Sequence, residues 1–479
     1  MRLIAVTVCL LCTAPLSSLA PQRTSETTAE GLMRGLVQSM NTTDSAAIAA
    51  FVKRNFVLQG PNVPSVEARV DRLLGVAASW GQVTIRTVEP RKGVELAAIV
   101  QAGRTESWRR LTINLDSGPP LKIRSVGLMP ARAPDRQTGV LSERQVVDSL
   151  RAYVERLVSR DAFSGTVLLA KNGVPLYRGA FGDANKDFGV KNTLDTKFNL
   201  GSMNKMFTAV AVMQLVEAGK LSLDDTLGKF MPAGSMRPDV LSKVRVKHLL
   251  SHTSGLGSYF TPDWDRQSRA LYRSVDDWMP LIKDETLQFD PGTRWAYSNT
   301  GMLVLGKVIQ SVSGMDYFDY VRQRIAKPAG MTSTDAYELD RVNPRLAVGY
   351  DPVPGRGRME YRNNLYMHVI RGGPAGGGYS TVEDLTRFAV ALEAGRLVSP
   401  ASVRLLTTAK PEVSSPTYGY GFIVDTNPRI VGHSGGFPGI NSQLDIYLDS
   451  DYTVAVMSNY SGGAQPIVER SRMLLTTIK

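Results

Sequence analysis

At 479 residues, 43% hydrophobic and 21% charged, the chain has the composition of a soluble globular protein of two or three domains. Its formal net charge of +12 is spread over both halves with no basic run or aromatic interleaving, which excludes a nucleic-acid partner and leaves at most a general attraction to anionic envelope surfaces. Cys9 and Cys12 are the only cysteines and His248, His252, His368 and His433 the only histidines, so neither a histidine-rich metal site nor any cofactor is expected.

Residues 1–20 read as a secretory signal peptide, with Arg2 ahead of the apolar run Leu3–Cys12 and small residues at Ser18-Leu19-Ala20. That run is too short to span a bilayer. The mature chain is therefore expected to be periplasmic or secreted, without cysteine and without a transmembrane segment. Residues 21–128 read as a small α+β unit: one or two helices over about 28–55, then strands at 83–88, 94–100, 108–115 and 121–126. Helices followed by a curled antiparallel sheet resemble the cone-shaped fold of scytalone dehydratase and its relatives. No acid/base constellation lies in this unit, so an accessory or binding role is expected.

A Pro-rich stretch makes 129–140 a linker, and 141–479 the main domain. Ser142 with Gln145 predicts a capping box opening a helix to about Ser159. Residues 165–171, Asn172-Gly173 and 174–179 predict a hairpin. At the other end, strands at about 419–425, 429–433, 441–448 and 452–458 precede a helix at 464–477. Strands and a helix at both ends around a helical middle predict one antiparallel sheet flanked by helices.

In that middle, Ser202-Met203-Asn204-Lys205 opens a nearly all-apolar helical run to Val216. Ser-x-x-Lys alone is expected on the order of once by chance in a chain of this length, and Ser202 could be an N-cap. A helix apolar all round is buried, however, and a buried lysine at the positive end of a helix dipole needs a reason. Residues three apart share one helix face, so Lys205 can reach the Ser202 hydroxyl. A rival nucleophile is Ser434, because Gly432-His433-Ser434-Gly435-Gly436 fits the G-x-S-x-G elbow. The elbow requires a helix after the serine, which Phe437-Pro438-Gly439 breaks, and a later histidine, which the chain lacks.

With Tyr297-Ser298-Asn299 and His433-Ser434-Gly435, the Ser202-x-x-Lys205 pair completes an ordered trio. Residues 141–479 resemble the penicillin-recognising serine hydrolases, whose motifs are Ser-x-x-Lys, Tyr-x-Asn and Lys/His-x-Gly. Gly373–Gly378, Tyr418–Phe422 and the Leu249–Leu256 segment look like further family segments, with His252 in a loop that supports the site. The resemblance implies a β-lactamase/transpeptidase-like fold and acyl-enzyme chemistry. Ser202 would be the nucleophile, with Lys205 and Tyr297 sharing the proton work; which of the two is the base stays open. Asn299, His433 and Gly435 would bind substrate, and the N–H groups of Ser202 and Gly436 would form the oxyanion hole.

The motif lysine is replaced here by His433. As a group that titrates near pH ~6.5, it is expected to favour carboxylate-bearing substrates only below that pH. Hydrolysis of small-molecule esters or D-amino-acid peptide amides is therefore ranked above D,D-peptidase or β-lactamase action. A catalytically silent envelope-binding or sensor protein is the third alternative.

Overall fold

The computed structural model describes residues 28–60, 63–131, 139–354 and 359–478. The expected leader and positions 132–138 of the expected linker lie outside them. The front unit has three helices, α1 (Ala29–Met40), α2 (Ser45–Asn55) and α3 (Val66–Trp80), followed by an antiparallel sheet in the order β1 (Val83–Val88), β2 (Glu95–Ala102), β3 (Trp108–Leu115), β4 (Ile123–Pro130). Thr28, Asp44 and Ser65 cap the helices by accepting N–H bonds from their first turns. The period-2 set Leu96, Ala98 and Val100 faces Leu32, Met33 and Leu36 in a core of its own. Helix α3 was not foreseen. It buries only Arg69, Val70, Leu73 and Ala78, too narrow a stripe to show in the sequence pattern.

Polar contacts join the front unit to the rest of the chain. Arg109 pairs with Glu469 at 2.7 Å, Glu106 accepts from Arg156 at 3.1 Å, and the buried Tyr153 hydroxyl donates to the Thr105 carbonyl.

Helix α4 (Glu143–Ser159) carries the capping box, with both reciprocal bonds formed by Ser142 and Gln145. The hairpin β5 (Gly165–Lys171) to β6 (Val174–Phe181) turns at Asn172 and Gly173, both with positive φ (51° and 73°), as a type I′ turn requires. This hairpin joins the C-terminal strands in one six-stranded sheet. The order is Ile423–Thr426, Arg429–Phe437, Ile440–Tyr447, Tyr452–Ser458, β5, β6, antiparallel throughout. In its middle, Gly165 pairs with Ser458 and Lys171 with Tyr452.

Alternation along the central strands loads both faces. Val167, Leu169, Val454 and Val456 pack with α4 and the terminal helix Gln465–Leu475. Leu168, Ala170, Ala455 and Met457 pack into the larger core around α5 (Asn204–Glu217). The strand expected from 419 begins only at Ile423, because Gly419 N–H closes a turn onto the Phe422 carbonyl at 2.8 Å. None of the described helices is long and apolar enough to cross a membrane.

Candidate active site

Ser202 is not an N-cap. It sits in a 3₁₀ turn, Gly201–Met203, immediately before α5, and its Oγ lies 3.1 Å from Lys205 Nζ. Gly201 makes the turn possible. Its φ is +51°, and a Cβ there would stand 3.0 Å from both Gly435 Cα and Gly436 N, so only glycine allows this backbone contact. The strand Ile423–Thr426 pairs no further than Gly432, so the 433–437 edge has no strand partner on that side and lies along the Ser202 turn. Ser202 and Gly436 consequently line one cavity of about 240 Å³.

Lys205 is completely buried (0% exposed), and desolvation holds its amine well below the usual lysine range. Besides Ser202, it reaches Asn299 Oδ1 at 2.9 Å and the Ala375 carbonyl. Both are acceptors only. A neutral amine has two protons, one for each of these acceptors, and keeps its lone pair for the Ser202 hydroxyl. No carboxylate contacts Lys205 among the described residues.

Ser298 caps the helix Asn299–Ser313, its Oγ accepting from Gly301 N–H at 2.8 Å. The cap places Tyr297 one residue outside the helix and Asn299 at its first position. Tyr297 is 37% exposed toward the cavity. Desolvation pushes its phenol up to about 12, against a hydrogen bond with Ser202 that acts the other way. The Lys205 nitrogen stands 4.8 Å from the centre of its ring. Asn299 Nδ2 donates one of its N–H groups to Ser258 Oγ at 3.2 Å, so the other remains for a ligand.

The structure brings together Ser202, Lys205, Tyr297, Asn299 and Gly436, and it corrects the expectation for two others. His433 is 1% exposed. Its Nε2 meets the Tyr418 hydroxyl at 2.9 Å and its Nδ1 the Ser434 carbonyl at 2.6 Å, which leaves no ring nitrogen for a substrate carboxylate. Desolvation first, then the nearby Lys205, lowers its pKa to about 3. The ring therefore carries no charge near pH ~6.5, and the pH switch expected of it is absent. Gly435 faces away from the cavity lining, against Leu200, whose carbonyl oxygen would lie 2.0 Å from a Cβ. Its role is to let the two backbones touch.

Sequence reasoning missed Ala375, whose carbonyl orients Lys205, and Asn204, which donates to the Gly373 carbonyl at 2.8 Å. The glycine density of 372–378 is the available signal, since such tracts permit close backbone approach. It also missed the aromatic walls of the cavity, which come from distant segments.

The Beta-lactamase family model matches residues 150–477. The chain is 33% identical over 333 residues to penicillin-binding protein 4* of Bacillus subtilis (strain 168), covering 65% of this chain and 71% of that protein. Among solved structures, a penicillin-binding protein from Bacillus halodurans superposes with TM-score 0.60 at 29% identity, over 69% of this chain and 98% of that one. A D-stereospecific amidohydrolase from Streptomyces sp. gives TM-score 0.55 at 26% identity, over 69% and 98%. The antiparallel sheet flanked by helices is thus a β-lactamase/transpeptidase-like fold, and the chain belongs to the Beta-lactamase family as a serine hydrolase that works through an acyl-enzyme.

Proposed function

We propose that this is a periplasmic or secreted hydrolase of neutral esters, and secondarily of neutral amides, with an apolar or aromatic acyl group. The carrying observation is the cavity wall. Tyr259, Phe260, Trp264, Trp278, Tyr337 and Phe437 line it, and among the described residues no Lys, Arg, Asp or Glu side chain does. His368 also lines it, and burial lowers its pKa to about 4. A carboxylate bound there would lose its hydration with no cation in return. That disfavours β-lactams and D,D-peptides with a free C-terminus. The ordered Ser202, Lys205 and Tyr297 cluster weighs against a silent sensor.

In this reading Ser202 Oγ attacks the carbonyl while its proton passes to the neutral Lys205 amine, and the N–H groups of Ser202 and Gly436 hold the oxyanion. The transient ammonium faces the Ala375 carbonyl, Asn299 Oδ1 and the Tyr297 ring. The Tyr297 phenol donates its proton to the leaving oxygen as the acyl C–O bond breaks, and is reprotonated from Lys205. Water then attacks the acyl-enzyme, giving one proton back to Ser202 through the same pair. No described residue of the front unit lines the cavity, and we assign the unit an accessory role. The leader-like residues 1–20 and the basic surface support a location in the cell envelope or beyond.

A direct test is acylation by p-nitrophenyl phenylacetate and benzylpenicillin in parallel. Both carry a phenylacetyl group, transferred by the ester and held as a side-chain amide by the penicillin, and they differ in the acylating bond and in the free carboxylate. Benzylpenicillin methyl ester, which lacks only the carboxylate, isolates the second difference. Each neutral compound should have a larger kcat/KM than benzylpenicillin by at least roughly 10–100-fold, the penalty for one unpaired charged group. Faster acylation by the penicillin would give the site to β-lactams instead. On the same ester, Tyr297→Phe should keep KM and lower kcat by roughly 10²–10⁴, the range for a lost acid/base group. An unchanged rate would leave Lys205 as the sole proton carrier.

A further inference from the structure

His252 is fully buried beneath the site, in a turn where its φ is +59°. Two peptide N–H groups end on it. Ala296 N–H donates to its carbonyl at 2.9 Å, and Ser298 N–H donates to its Nδ1 at 3.2 Å. These are the two neighbours of Tyr297. The imidazole itself lies 4.4 Å from the Tyr297 ring, centre to centre, and 4.5 Å from that of Tyr418.

The tautomer follows from the Ser298 bond. Because Nδ1 accepts, the neutral ring must carry its proton on Nε2. That nitrogen is buried with no hydrogen-bond partner among the described residues. Leaving such a donor unpaired costs about 1–3 kcal/mol, and a non-glycine residue at positive φ is strained as well. An apolar side chain would fill the space without the unpaired donor, and would keep the strain. It would leave the Ser298 N–H without its acceptor.

We propose that His252 is a positioning residue for Tyr297, holding the backbone on both sides of it and its ring from below, so that the phenol stays at Ser202. This rests on the proton-transfer role given to Tyr297 above. It is distinct from the packing role that any buried loop residue has, because it acts on one phenol.

Three variants of the full chain separate the two roles, assayed on p-nitrophenyl phenylacetate with active sites counted by fluorophosphonate titration. His252→Ala removes the acceptor and should lower kcat by roughly 10–100-fold, in line with the effect of displacing a catalytic group by about 1 Å, while KM stays within about twofold. His252→Asn offers Oδ1 in place of Nδ1 and tolerates the left-handed backbone; it should recover kcat to within roughly fivefold of the parent. In the Tyr297→Phe background, where no phenol remains to be placed, His252→Ala should cost less than about twofold more. An equal loss in both backgrounds, or an Asn variant no better than Ala, would reduce His252 to a packing residue and overturn the proposal. Tyr297→Phe at the parental rate would remove the proton role as well, so failure of that reading is told apart from failure of this one.

Discussion

Ser202→Ala should leave no covalent adduct with a fluorophosphonate by intact mass, and should lower ester turnover by roughly 10⁴–10⁶-fold, as loss of a nucleophile does in enzymes whose groups act as a unit. Lys205→Met should come within an order of magnitude of the same loss, because a hydroxyl without its amine is a poor nucleophile at neutral pH. Lys205→Arg should do no better, since a guanidinium has no lone pair to offer and cannot be deprotonated. Combining Ser202→Ala with Lys205→Met should add little to either alone. Peptide mapping of the parent adduct locates the phosphonyl group. Labelling at Ser434 would return the nucleophile to the elbow, and a fast Lys205→Met enzyme would make Tyr297 the base.

The second large effect is on stability. His248 and His368 are held at about 4, His433 at about 3 and His252 well below 6.5, each chiefly by desolvation. In the unfolded chain all four titrate near ~6.5. Below that pH the unfolded state binds protons that the native state refuses, so stability is fully present above ~6.5 and falls as the pH drops toward the native values. Each histidine contributes about 1.4 kcal/mol per pH unit, or about 5 kcal/mol per unit for the four. Urea melts at pH 7.5, 6.0 and 5.0 should show the midpoint falling steeply between the last two, and His433→Gln should remove about a quarter of that slope. A midpoint flat across the three pH values would mean that these rings are not kept neutral by the fold.

What could be read from the sequence divides along physical lines. The capping box at Ser142 and Gln145, the Asn172-Gly173 turn and the Ser202/Lys205 pair are local, with spacing that dictates geometry within one turn or one helix face. The sheet halves were visible because Val167 to Ala170 and Val454 to Met457 are continuous apolar runs of strand length. Helix α3 was hidden by its narrow buried stripe. His433 was misjudged because charge was argued from residue type, whereas burial and the Tyr418 hydroxyl decide its state. The cavity walls were invisible for another reason: Trp278, Tyr337 and Phe437 are neighbours only after folding, and no spacing encodes that.

The pairing of Gly165 with Ser458 at the middle of the sheet has a consequence for how the enzyme comes into being. Two strands nearly three hundred residues apart must find each other before the sheet closes, and the loop-closure entropy of that search makes for slow folding. The strand that carries Gly436 belongs to the late-arriving half. A ribosome that has delivered Ser202 and Lys205 has therefore delivered the proposed nucleophile without the Gly436 half of its proposed oxyanion hole. On that reading, hydrolytic competence appears in one step, when the last strands dock.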